Sequence, residues 1–233
     1  MPSKTRALTV AQGKDRNRGK QCSHPECYEV RDGVSKWCRY HYRKARTYGH
    51  PDGHHQYKKY YTYERHEASK FLEAHSDHPG VTAALSWIDE WMNMSISSDP
   101  QEAKAQPPGI DTMARLRASG VTPMGVLVEV AGLWIYSAKY KSKLPDDRRL
   151  TVALSRAVYY LAKAHKRQSW TTGELKSQFP NASERDGIGM RIRNTLGVLL
   201  NNIVTGIGSQ YQAKAEVRAT LAEPFVFDPV SLL

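Results

Sequence analysis

All three cysteines of the 233-residue chain fall within one short segment, and a histidine stands three residues after the last of them. The spacing is Cys22-x4-Cys27, then ten residues, then Cys38-x2-His41. Two pairs of ligands, each on a tight local turn, are what a tetrahedral Zn²⁺ site needs, and thiolate together with imidazole suits zinc. Because four protein ligands leave no open coordination position, the sequence predicts one structural zinc ion.

His24, two residues after Cys22, is the rival for the fourth ligand position. His41 is better placed, because a C-x2-H turn brings both side chains to one point. The other interpretation of the segment is three free, buried cysteines. An odd number of cysteines cannot pair fully within the chain, and the N-terminus lacks the apolar segment of a secretory signal, so we expect a reducing compartment.

Basic and aromatic residues follow the second ligand pair, first in "RYHYRKARTY" and then in "HHQYKKYYTYERH". Cationic side chains contact phosphates, and tyrosine faces stack on bases or sugars. The alternative is that some of these aromatic residues only cover a small metal core. The pattern predicts nucleic-acid contacts from six residues: Arg39, Arg43, Lys44, Arg46, Lys58 and Lys59.

The segment from Cys22 to Pro51 resembles the small zinc finger common at the N-termini of bacteriophage proteins, including HNH-endonuclease-like proteins. In that family a C-x4-C pair is followed by a glycine, by C-x2-HY and by a basic run that ends in G-[DH]-P. The resemblance covers residues 20–53 and implies a phage or mobile-element origin, contact with nucleic acid, and a location in the cytoplasm of a bacterial host cell. The matching residues are Cys22, Cys27, Gly33, Cys38, His41, Tyr42, Arg43, Arg46, Gly49 and Pro51.

The formal net charge is +11, and it is unevenly distributed. Residues 1–66 carry 15 Lys/Arg against 6 Asp/Glu, residues 67–112 carry 2 against 8, and residues 148–218 carry 12 against 4. Two basic blocks around an acidic segment indicate two contact surfaces for a polyanion. No run of about 18 apolar residues occurs, so we expect no membrane-spanning segment.

The apolar periodicity predicts a mainly α-helical chain, with a small zinc-binding finger followed by a helical domain. Two helices are expected to meet near Pro79-Gly80, and a buried helix is expected from about Pro123 to Lys141. The expected organisation is a flexible basic arm at 1–20, the finger with its basic and aromatic extension at 21–66, a helical segment at 67–94, a linker or long loop at 95–112, and a helical domain at 113–233.

Near the C-terminus, helices are expected at about 151–166, 172–178 and 184–203, followed by a hairpin. That order resembles a winged helix-turn-helix at 150–220, in which the third helix enters the major groove. The alternative is an ordinary helical bundle, and two glycines within "GIGMRIRN", each costing about 1 kcal/mol against alanine, favour a helix start nearer Met190. Arginine and asparagine read bases bidentately. The resemblance therefore implies contacts from Arg185, Arg191, Arg193 and Asn194.

These observations favour a zinc-containing protein that binds nucleic acid, most simply duplex DNA, in transcription or replication control. A host protein such as RNA polymerase and a second copy of the chain are further candidate partners. The alternative is a protein-interaction or phage structural component in which the finger is purely structural. An HNH-like nuclease is a second alternative, but His165 is the sole histidine beyond residue 80, so we expect no enzyme.

Overall fold

The structure is a computed structural model that describes residues 4–95, 97–99, 101–102, 106–162, 166–168, 175–177 and 182–222. The fold is mainly α-helical, as the sequence predicts. A 3₁₀ turn lies at Lys58–Tyr60, and two short strands, β1 (Lys166–Gln168) and β2 (Leu175–Ser177), pair antiparallel. The helices are α1 (Lys4–Asn17), α2 (Arg39–Tyr48), α3 (Thr62–Ala74), α4 (Pro79–Asn93), α5 (Ile110–Ala118), α6 (Pro123–Lys139), α7 (Asp147–Tyr159) and α8 (Ala182–Ala222).

Helix α6 lies at the centre of the helical body, where it packs on α3, α4, α7 and α8. Its apolar residues recur on every side, which is the pattern of a helix buried all round. Leu127, Val130 and Leu133 are fully buried, together with apolar residues of α7 and α8 such as Leu154 and Ile192. The predicted buried helix is therefore present, and its apolar side chains pack within this chain.

Local sequence signals set where these helices begin. Pro79 and Pro123 each stand in a first helical turn, where a missing backbone N–H costs nothing. The hydroxyl of Thr122 accepts the backbone N–H of Gly125 at 3.1 Å, which caps α6. The predicted helix break near Pro79 and the predicted start at Pro123 are both confirmed.

A buried ionic network joins the basic extension of the finger to α6. The carboxylate of Glu129, which is 2% exposed, accepts the hydroxyl of Tyr61 at 2.6 Å and pairs with Nε of Arg65 at 2.7 Å. Nζ of Lys58 lies 3.9 Å from the same Glu129 oxygen that pairs with Arg65. Because a buried carboxylate is costly unless it is paired, these contacts fix the start of α3 against the central helix.

Two predictions about the first half of the chain change in the structure. Residues 4–17, predicted to lie in a flexible basic arm, form helix α1. Residues on both sides of the 95–112 segment contribute to one hydrophobic core, which extends from Tyr61 to Ile207. The segment therefore does not separate two cores, and its last residues, from Ile110 on, belong to α5.

The winged helix-turn-helix prediction is not confirmed, and two of its predicted elements differ in the structure. Leu175–Ser177, expected to be helical, form strand β2, and the residues expected to form a hairpin after Gly206 continue α8 as far as Ala222. Helix α7 ends at Tyr159, before the predicted end at 166. The remainder of the predicted middle helix, at 172–174 and 178, lies outside the described residues.

Among the residues that the structure describes, no single helix combines the length and the apolar composition needed to cross a membrane. Helices α5 and α6 have that length and composition only when the two are counted together, and a bend of 119° separates them.

Candidate metal centre and nucleic-acid interface

The first ligand pair lies on a short loop closed by backbone hydrogen bonds. The N–H of Cys22 donates to the carbonyl of Glu29 at 2.8 Å, and the N–H of Cys27 donates to the carbonyl of His24 at 3.1 Å. This loop turns back on itself between the two cysteines, so both side chains face the same side.

The second pair stands where α2 begins. Cys38 is the residue immediately before the helix, and His41 lies in its first turn. The N–H of Cys38 donates to Sγ of Cys22 at 3.2 Å, which brings the two pairs together. The predicted C-x2-H turn into a helix is therefore present.

The four predicted ligands form one cluster that could hold a metal ion. Sγ of Cys22 and Sγ of Cys38 lie 3.5 Å and 3.4 Å from Nδ1 of His41, and Sγ of Cys27 lies 3.8 Å from Sγ of Cys38. All four ligand atoms lie within 4.8 Å of one another. The three cysteines are not joined in disulfides.

His24, the rival ligand, occupies a neighbouring position outside this cluster. Its ring stacks on His41 with centroids 4.1 Å apart, and its Nε2 lies 2.6 Å from a carboxylate oxygen of Asp52. The imidazole of His24, held by Asp52, therefore covers the outer face of His41. These three side chains form a second group that could hold a cation.

The electrostatic environment favours the metal-binding forms of two ligands. Burial raises the pKa of the Cys22 thiol, but hydrogen bonds to its sulfur, first of all from the N–H of Cys38, outweigh burial and lower that pKa overall. Burial, assisted by the nearby charge of His24, lowers the pKa of His41. A thiolate and a neutral imidazole are the forms that bind a metal ion.

The third thiol responds to its neighbours in the opposite direction. A hydrogen bond from the backbone of Glu29 lowers the pKa of Cys27, but burial and the adjacent sulfurs of Cys38 and Cys22 raise it overall. Ionisation of one thiol disfavours the next, because like charges would be brought together. A cation between the sulfurs removes that conflict.

Helix α2 presents basic and aromatic side chains to solvent. Arg39 and Arg43 are exposed, and Tyr40 is 61% exposed. Nζ of Lys44 lies 5.1 Å from the centre of the Tyr40 ring. A cavity of about 950 Å³ runs between this face and the loop that carries Cys27.

The finger is docked on the helical body through α7 and α8. Gly49 ends α2 at φ = 81°, and a side chain there would lie 2.9 Å from the carbonyl oxygen of Arg148. The guanidinium of Arg185 donates to the carbonyl of Arg46 at 3.1 Å. Arg149 of α7 is hydrogen-bonded to His50. The direction of α2 relative to the body is fixed by these contacts.

The three arginines predicted to read bases from α8 contact their own chain. Arg193 forms an ion pair with Asp147 at 2.6 Å, and Arg191 lies over the rings of Trp87 and Trp91. Asn194 is exposed. Together with Arg185, which is bonded to the finger, these arginines tie α8 to neighbouring elements.

Lys58 and Lys59 begin the short 3₁₀ turn before α3, and both are exposed. Lys59 lies over the rings of Tyr57 and Tyr60, with 5.8 Å and 5.4 Å to the ring centres. The structure thus places the basic and aromatic extension beside the finger, next to the end of α2.

Sequence reasoning missed the residues that hold this surface in place, namely Glu129, Tyr61 and Arg149. One acidic residue within a long apolar helix was the available signal for Glu129, since a buried carboxylate requires a partner. No comparable signal marks Arg149, because its partner is almost one hundred residues away in the chain.

Comparisons of this chain with protein-family models, with curated proteins and with solved structures found no match.

Proposed function

We propose that this chain is a nucleic-acid-binding protein of a phage or mobile element, which binds duplex DNA in transcription or replication control and holds one structural zinc ion. One observation carries the proposal. The Cys22, Cys27, Cys38 and His41 cluster lies at the start of a helix whose exposed side chains are basic and aromatic.

The chemistry and spacing of the cluster support zinc. A tetrahedral site with Zn–S bonds of about 2.3 Å and Zn–N bonds of about 2.1 Å separates its ligand atoms by roughly 3.5–3.8 Å. Sγ of Cys22 and Sγ of Cys38 lie 3.5 Å and 3.4 Å from Nδ1 of His41, and Sγ of Cys27 lies 3.8 Å from Sγ of Cys38. Three thiolates and one imidazole form a closed structural set, in which the ion holds the finger together.

The charge of α2 supports an anionic partner. Arg39 and Arg43 are four residues apart on one helix face, and like charges at that spacing destabilise a helix by a few tenths of a kcal/mol. The helix has no acidic residue to offset them. Because helix stability does not favour this arrangement, contact with phosphates explains it better than solvation does.

The test is fluorescence anisotropy on a short duplex at several salt concentrations. The double variant Arg39→Ala/Arg43→Ala is expected to bind more weakly, and its slope of log K against log salt is expected to fall by about 1.8, because each lost phosphate contact removes about 0.9. Arg117→Ala, which removes an exposed arginine from α5, is the matched control and should leave the slope unchanged.

Metal dependence is measured in the same assay. Purified protein is expected to contain about one zinc per chain, and removal of that zinc by a chelator should abolish duplex binding. Binding that survives complete removal of the metal would contradict the role of the finger. Salt-independent self-assembly without any affinity for duplex would favour the structural-component alternative.

A further inference from the structure

A groove of about 740 Å³ lies between the finger and the helical body. It is bordered by the end of α2, by the segment before α3 and by the loop that follows α6. None of the described residues that line it is acidic. The lining residues that matter below are Lys44, Tyr48, Tyr57, Tyr60, Lys143 and Arg149.

The aromatic side chains of this groove are open to solvent. Tyr57 and Tyr60 are 52% and 50% exposed, and their rings meet edge to face with centroids 5.8 Å apart. Aromatic rings of this size contribute most when they are covered, and here the chain itself leaves about half of each in water. Such rings offer faces on which a planar group can stack.

The groove also carries positive charge. Lys143 is exposed at its rim, and Arg149 faces it from α7 with Asp146 as an ion-pair partner 3.6 Å away. An occupant that combines planar aromatic groups with negative charge matches both features.

The groove is continuous with the surface proposed to contact DNA. Lys44 and Tyr48 line both this groove and the cavity beside the exposed face of α2. A strand that follows the arginines of α2 therefore reaches the tyrosines without leaving the basic surface.

We infer that this groove binds an unpaired segment of single-stranded nucleic acid, with its bases stacked on Tyr57 and Tyr60 and its phosphates near Lys44 and Lys143. The bases of an intact duplex are already stacked on one another, so only unpaired bases can offer their faces to these rings. The assignment rests on the proposed function, and it identifies a junction between duplex and single strand as the preferred ligand.

The experiment compares a blunt duplex with the same duplex carrying a short oligothymidine overhang, in both polarities and at one salt concentration. An overhang of the correct polarity is expected to strengthen binding at least about fivefold for each base that stacks. The double variant Tyr57→Ala/Tyr60→Ala should lose this gain and still bind the blunt duplex as the unmodified protein does.

Two further variants distinguish stacking from general effects. Tyr57→Phe/Tyr60→Phe keeps both rings and should retain the gain, whereas Tyr28→Ala removes an 84% exposed tyrosine outside the groove and should change nothing. A 2-aminopurine base in the overhang reports stacking directly, because its fluorescence should be quenched by the unmodified protein and not by the double alanine variant.

The outcomes separate this inference from the proposed function. Equal affinity for blunt and overhung duplexes, or equal weakening of both by the double alanine variant, overturns the inference and leaves duplex binding standing. Failure to bind any of these probes overturns both.

Discussion

Replacement of Gly189 by alanine is expected to separate two helices that carry the finger-docking arginines. The glycine lies in α8 where that helix crosses α7, and an added Cβ atom would lie 2.0 Å from the carbonyl oxygen of Thr151 and 2.7 Å from its carbonyl carbon. Ordinary contact begins at about 3.4 Å, so the backbones would have to move apart by more than 1 Å. The obstacle is main chain, which cannot rotate away.

Two opposing terms set the size of the effect. Alanine gains about 1 kcal/mol over glycine in a helix interior. Overpacking of this kind costs about 1–3 kcal/mol, and a collision with backbone belongs at the upper end. We therefore expect Gly189→Ala to lower the free energy of unfolding by about 2 kcal/mol.

Gly197→Ala provides the matched control on the same helix. The nearest atom to its added Cβ would be one atom of Trp134 at 3.9 Å, which is ordinary contact, so only the gain in helix propensity of about 1 kcal/mol remains. Urea unfolding followed by far-ultraviolet circular dichroism measures both variants, and an unchanged slope on urea validates the comparison. If Gly189→Ala proves as stable as Gly197→Ala, the close crossing of α7 and α8 is refuted.

Two other substitutions test the remaining electrostatic arguments. Glu129→Leu should lower the free energy of unfolding, measured with urea, by about 3–5 kcal/mol, because it leaves Arg65 and the buried hydroxyl of Tyr61 without their partner. A decrease below about 1 kcal/mol would contradict the network. Burial, assisted by the charge of a neighbouring arginine, lowers the pKa of His55, so the unfolded chain takes up the proton first as the pH falls below 6.5. The stability that neutral His55 contributes is therefore present above pH 6.5 and is lost as the pH falls through the pKa of the folded protein. His55→Gln should make the thermal midpoint less sensitive to acid. His54→Gln, at an exposed position, is the control and should leave that sensitivity unchanged.

The metal cluster and most helices could be predicted because their signals are local. The ligand spacing from Cys22 to His41 lies within twenty residues, and Thr122-Pro123 carries its own helix-start signal. The apolar stripe of α7 likewise follows from its periodicity, and its members such as Leu150 and Leu154 are buried.

The differences between α8 and the predicted helix and hairpin have a physical cause that the sequence alone did not contain. Because each glycine is costly within a helix, the sequence favours a helix start beyond Gly187 and a turn near Gly206. In the structure Gly187 and Gly189 allow Pro108 and Thr151 to approach α8, and Gly206 faces the ring of Phe71. Tertiary contact overrides propensity at these positions, and the contacting residues are distant in the chain.

The finger and the body impose two separate constraints on the same surface. Within the finger, the cluster around Cys38 fixes where α2 begins and which of its faces is exposed. Relative to the body, the contacts of Gly49 with Arg148 and of Arg185 with Arg46 fix where α2 ends. Among the described residues, the core of the body includes none of the four predicted metal ligands. Loss of a bound metal should therefore disorder the start of α2, with the exposed Arg39 and Arg43, without unfolding the helices of the body.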